Sequence, residues 1–206
     1  MGLDEHRAVA DRVLLPIAER LRSVDPNHLS WLAFVAAVGA GVGFYLATPP
    51  FLALAILLVF LNALLDALDG KVAKLTGRAS ARGDFLDHVL DRYADLFMIG
   101  GIAFGGYGNL MFGLFAIVGV LFASYMGTQA QAVGLGRAYG GVLGRADRLV
   151  ILWFAAWAQL LGDPASLGGG PLRYTPLTLG LLVFAVLGQF TALQRAVIAW
   201  RRLGAA

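Results

Sequence analysis

The chain has 206 residues, of which 59% are hydrophobic and 14% charged, with a formal net charge of +3 and no cysteine. A mean hydropathy of +0.73, with a charged fraction well below the roughly 25% of soluble domains, excludes a small water-soluble globule, whose interior could not hide so much apolar surface. The missing cysteines exclude disulfides and thiolate metal sites, and lipid is the expected solvent for much of the chain.

The first residues, MGLDEHRAVADRVLL, carry acids and no continuous apolar run, so they do not resemble a cleavable signal peptide. Across residues 3–23, Val9, Val13, Leu14, Ile17 and Leu21 recur at helical spacing with Arg12, Glu19, Arg20 and Arg22 between them. That pattern predicts an amphipathic helix in the membrane interface, with a soluble helix packed on a loop as the plainer alternative. Asp25-Pro26-Asn27 then breaks it, and Asp25 or Asn27 is placed to cap the first span. The expected domains are thus an amphipathic segment, 1–25, and a membrane domain, 26–206.

Beyond this break lie six apolar runs of bilayer-spanning length, at about 29–47, 51–75, 84–105, 109–135, 146–162 and 176–200. Gly, Pro and charged residues collect in the breaks between them. The expected fold is therefore all-α and integral to the membrane, with six transmembrane helices plus the N-terminal amphipathic interfacial helix. Of the 16 Lys and Arg residues, only Arg173 falls in a connection on the far side if both termini are cytoplasmic. The positive-inside rule therefore predicts a multi-pass cell-membrane protein with both ends on the cytoplasmic face. Nothing in this distribution points to a nucleic-acid partner.

The second and third spans carry acids where acids are costly. Asp66 and Asp69 are three residues apart and Asp87 and Asp91 four apart, so each pair shares one helix face. Ionised side chains at this depth mark function unless they are paired. Four facing carboxylates would repel, and a hard divalent cation with oxygen ligands (Mg2+, Mn2+ or Ca2+) resolves the conflict. Ion pairing with Lys71, Lys74, Arg82 and Arg92 would account for one or two of these acids but not for both faces. A carboxylate-lined cation pathway would need polar residues through the whole depth, whereas here the acids sit toward one end. Gly70, Ala73 and Gly83 would let a phosphorylated ligand approach the backbone, or would merely allow close helix packing. Asp84 is read as the cap of the third span, His88 as a ligand or a hydrogen-bonded bystander, and Asp95 as an acceptor-hydroxyl contact or an arginine partner.

Taken together, Asp66-x-x-Asp69-Gly70-x-x-Ala73-Lys74, eight residues, Gly83-x-x-x-Asp87-x-x-x-Asp91 resembles the signature of the CDP-alcohol phosphotransferases, D-x-x-D-G-x-x-A-R, eight residues, G-x-x-x-D-x-x-x-D. Lys74 stands where the pattern has arginine; it keeps the cation and loses the bidentate fork. Pro26-Asn27-His28-Leu29-Ser30 is similar to the family's P-N-x-L-T/S entry to the first span.

The resemblance implies a reaction in which a CDP-linked lipid donates its phosphatidyl-type group to an alcohol and releases CMP. It implies metal at Asp66, Asp69, Asp87 and Asp91, two Mg2+ or Mn2+ ions, with Asp91 also the base for the acceptor hydroxyl. It assigns Gly70, Ala73, Lys74 and Gly83 to the cytidine diphosphate moiety and suggests a homodimer. Arg145, Arg148 and Arg195 resemble segments of members with phosphorylated acceptors, and would make an anion pocket or anchor helix ends at headgroups. Leu90 to Asp95 and Gly127 to Ala132 resemble archaeal members that use inositol phosphate, although Gly127 and Gln129 stand where bacterial inositol-phosphate enzymes tend to carry a cation. Inositol phosphate is the expected acceptor and an archaetidyl group the expected cargo, with glycerol phosphate as the alternative acceptor.

Overall fold

The computed structural model describes residues 7–136, 140–162 and 174–204, with side chains from residue 12 onward. Arg137 and Arg173 lie outside the described residues. Among those described there are seven helices and no strand: α1 (Arg7–Arg20), α2 (Pro26–Leu46), α3 (Pro49–Leu75), α4 (Ala81–Phe104), α5 (Leu110–Ala132), α6 (Arg145–Leu161) and α7 (Pro176–Leu203).

Each helix start has a local chemical cause. Asp25 caps α2 by accepting from the Asn27 backbone N–H, and Pro26 occupies the first turn, where its missing N–H costs nothing. Proline likewise opens α3 and α7. Asn109 caps α5 and Thr175 caps α7 with side-chain oxygens. At α4 the cap is Ser80, whose Oγ accepts from the Gly83 N–H at 3.1 Å. This corrects the assignment of the cap to Asp84, which sits one turn further on and favours the helix N-terminus only by its charge. Asp147 reaches back to the Gly144 N–H at 2.8 Å and closes the first turn of α6.

Four helices, α2, α3, α5 and α7, are long and apolar enough to cross a bilayer. They leave many large apolar side chains exposed, among them Trp31, Val35, Leu57, Phe60, Phe115 and Phe190. Apolar surface on this scale belongs against lipid, and the protein is a multi-pass helical membrane protein. The other two expected spans differ in kind. Helix α4 carries Asp84, Asp87, Asp91, Arg92 and Asp95, and α6 has only 17 residues, about 26 Å at 1.5 Å per residue.

The chain divides into two compact units, Met1–Gly101 and Ile102–Ala206. In the first, α2 packs along α3 and touches α4 at backbone distance: a Cβ on Gly101 would collide with the Gly41 carbonyl, and one on Gly41 with the Phe97 carbonyl. Phe34 and Phe97 meet edge to face with centroids 6.0 Å apart. Asn62, buried in α3, donates to the Ala33 carbonyl at 2.9 Å. The amphipathic segment forms α1, which packs on α3; Leu14, Ile17, Ala18 and Leu21 gather with Leu29, Leu68 and Val72. Val13, expected in the same stripe, is exposed instead.

In the second unit, α5 and α7 pack through Gly119 and Gly188, where a Cβ on either would come within 2.9 Å of main-chain atoms of the other helix. The Thr175 and Thr178 hydroxyls both donate to the Tyr107 carbonyl, at 2.6 and 2.7 Å.

Candidate active site

Three carboxylates from two helices converge in the first unit. Asp66 and Asp69 in α3 and Asp87 in α4 each place an oxygen within 4.8 Å of the others. Asp91, one turn beyond Asp87, forms a second such group with Asp87 and His88. The four acids therefore form two clusters joined at Asp87. Asp69 and Asp91 are buried, while Asp66 and Asp87 are half-buried. A donor set made almost wholly of carboxylate oxygens suits a hard divalent cation, and the residues present fit one.

The neighbouring polar groups hold these acids in place. Ser30 of α2 donates its hydroxyl to Asp69 Oδ2 at 2.5 Å. His88 lies between carboxylates, with Nε2 3.3 Å from Asp84 Oδ1 and Nδ1 3.6 Å from Asp87 Oδ2. Arg92 approaches Asp91 Oδ2 at 3.4 Å, so the expected ion pairing reaches Asp91 through this cation. Asp95 is buried one turn further along the same helix.

A cleft of about 370 Å³ opens beside the carboxylates, bounded by Asp69, Asp87 and Asp84 on one side and by the first turn of α2 on another. Gly70, Ala73, Lys74 and Gly83 all line it. Gly70 settles its own alternative: nothing lies within 4 Å of where its Cβ would be, so close helix packing is not the reason for glycine there. At Gly83 the same Cβ would meet Ser80 Oγ at 3.4 Å and Asn27 Oδ1 at 3.5 Å, a tighter wall.

Among the lining residues not assigned to a ligand from the sequence are Asp25, Asn27, Ser30 and Arg78. Arg78 is brought back toward the cleft by the end of α3. Gly77 takes a left-handed φ of 66° and the Arg78 N–H bonds to the Ala73 carbonyl at 2.9 Å, a glycine-dependent helix stop. The glycine after the last apolar position was the available signal.

The three arginines expected at an acceptor phosphate all lie in the second unit. Arg148 is buried in the first turn of α6, and Arg145 and Arg195 are half-buried. Arg195 donates Nε to the Gly140 carbonyl at 2.7 Å and a terminal nitrogen to the Ala123 carbonyl at 2.5 Å. It thereby ties the segment before α6 to α5 and α7. Thr191 of α7 also holds that segment, by accepting from the Leu143 N–H at 3.1 Å.

Fold and cleft together define a helical membrane protein with a carboxylate cluster set in two of its helices. The chain belongs to the CDP-alcohol phosphatidyltransferase family, whose model matches residues 24–204, and it is an enzyme of that transferase class. It is 34% identical over 201 residues to an archaetidylinositol phosphate synthase of Methanothermobacter thermautotrophicus, covering 98% of this chain and 95% of that one. It is 32% identical over 199 residues to a phosphatidylinositol phosphate synthase of Streptomyces avermitilis, covering 93% and 79%. Among solved structures it resembles the phosphatidylinositol phosphate synthase of Mycobacterium tuberculosis with CDP-DAG bound, at a TM-score of 0.74 and 26% identity over 92% of this chain and 94% of that one. The same enzyme in complex with manganese and citrate also has a TM-score of 0.74, at 25% identity, covering 91% of this chain and 88% of that one. Family membership sets aside the reading of the acids as a cation pathway.

Proposed function

We propose that the protein transfers a phosphatidyl-type group, archaetidyl in the first instance, from a CDP-linked lipid to inositol phosphate, releasing CMP. One observation carries the reading: Asp66, Asp69 and Asp87 converge within 4.8 Å beside a cleft lined by Gly70, Ala73, Lys74 and Gly83. Inositol phosphate as acceptor is supported by the relatives, which are synthases of inositol-phosphate lipids.

Asp66, Asp69, Asp87 and Asp91 would hold Mg2+ or Mn2+, two ions in all, which when bound supply positive charge to the diphosphate and to the phosphorus under attack. The open faces of Gly70 and Ala73 admit the cytidine diphosphate close to the backbone. Lys74, joined by Arg78 on the same rim, faces its negative charge, and Gly83 closes the far wall. The acceptor hydroxyl loses its proton to Asp91 as its oxygen forms a bond to the lipid-linked phosphorus. The bond from that phosphorus to the CMP oxygen breaks, and CMP leaves. Arg145, Arg148 and Arg195 supply the cations for the acceptor's phosphomonoester.

In the membrane, α2 to α7 are the six spans. Both termini and the cleft are cytoplasmic, α1 lies in the interface as segment 1–25, and residues 26–206 form the catalytic domain of a homodimer. The cysteine-free chain makes sidedness directly testable by labelling single introduced cysteines from either face. The decisive assay supplies purified protein with CDP-archaeol or CDP-diacylglycerol, Mg2+ or Mn2+, and inositol phosphate, glycerol phosphate or serine in turn. CMP release is expected with inositol phosphate; release only with glycerol phosphate would replace the acceptor, and none with any alcohol would end the reading.

A further inference from the structure

We infer that Ser30 is a positioning residue for the metal centre: its hydroxyl holds the Asp69 carboxylate in its metal-binding orientation. The inference rests on the proposal that Asp69 is a metal ligand. A serine hydroxyl has one proton to donate. Ser30 Oγ is 2.5 Å from Asp69 Oδ2 and 3.3 Å from the Pro26 carbonyl, so the proton goes to Asp69. Both partners are buried, at 8% and 6% exposure. A short hydrogen bond from a hydroxyl to a carboxylate is among the stronger kinds. Used on Oδ2, it restricts the rotation of the carboxylate that contributes an oxygen to the cluster with Asp66 and Asp87.

The arrangement extends through α2. Ser30 sits one turn into that helix, whose start is set by the Asp25 cap and Pro26. Leu29, its neighbour, is buried against Leu68 and Val72 on either side of Asp69 in α3. The capped first turn of α2 is thus clamped to α3 by apolar packing, and the hydroxyl converts that clamp into a fixed carboxylate. Groups that orient metal ligands in this way typically matter about ten- to a hundredfold in metal affinity.

The test compares Ser30→Thr with Ser30→Val in the full-length chain in detergent, since the two side chains share a shape and only threonine retains the hydroxyl. Mn2+ binding is read by EPR titration of the free ion, with thermal unfolding measured alongside. The expected result is near-wild-type affinity for Ser30→Thr and about ten- to a hundredfold weaker binding for Ser30→Val, at matched unfolding temperatures. Equal Mn2+ affinity in the two variants, with the wild type binding normally, overturns the positioning role alone. A wild type with no saturable Mn2+ binding overturns the metal centre as well, so the two failures are distinguishable.

Discussion

The two units of this protein use glycine in the same way and polar residues in opposite ways. Each is held by a helix pair at backbone contact, Gly41 with Gly101 in one and Gly119 with Gly188 in the other. In the first unit the buried charged groups are the carboxylates Asp69, Asp91 and Asp95, with Asp69 at the cleft. In the second the buried charged group among the described residues is Arg148, and the half-buried Arg195 has two donors committed to main-chain carbonyls. Carboxylates drawn together in a low-dielectric setting repel unless a cation or a proton offsets their charge, whereas a guanidinium can be satisfied by the protein's own carbonyls. The first arrangement therefore points to a ligand; the second can serve the fold and a ligand at once.

The sharpest way to break this contrast is at Asp91. Asp91→Asn is expected to lower CMP release by about a thousandfold, within the range general bases contribute, while retaining much of the Mn2+ and CDP binding. Full activity in that variant would remove Asp91 as the base. Chelation is the next largest effect: EDTA should reduce CMP release to background, and added Mn2+ or Mg2+ should restore it.

The arginines separate by what each loses. Arg148→Ala is expected to raise the KM for inositol phosphate by about tenfold or more, the worth of a charged hydrogen bond, with little change in KM for the CDP-lipid. Arg195→Ala should also lower the unfolding temperature, because two carbonyls lose their donors, at about 1–2 kcal/mol. Thermal unfolding in detergent with acceptor titrations checks both. If Arg195→Ala unfolds like the wild type, its carbonyl contacts contribute little to the fold.

Glycine gives the finest comparison. Gly188→Leu forces a side chain onto the Gly119 backbone and should cost about 1–3 kcal/mol. Gly70→Ala has open space and a helical backbone, so the fold should gain up to about 1 kcal/mol. Its methyl group would instead enter the cleft and weaken CDP binding, measured by calorimetry. A Gly70→Ala protein with unchanged CDP binding would detach that glycine from the nucleotide.

Much of this was written in local sequence. Spacing of three and four placed Asp66 with Asp69 and Asp87 with Asp91 because helical periodicity alone decides which residues share a face. Apolar run length set the helix positions to within a few residues, since crossing a bilayer takes a run of about 20 mostly apolar residues. Boundaries that depend on competition between nearby polar side chains were less legible, so Ser80 rather than Asp84 caps α4. Tertiary structure alone decided what crosses between elements: Ser30 meeting Asp69 from 39 positions away, Thr191 accepting from Leu143, and Arg195 holding the carbonyls of Gly140 and Ala123. None of these has a periodicity to read, because each depends on the approach of two elements rather than on the repeat of one. The carboxylate spacing belongs to each helix, but the convergence of α3 and α4 that makes it a site belongs to the packed protein.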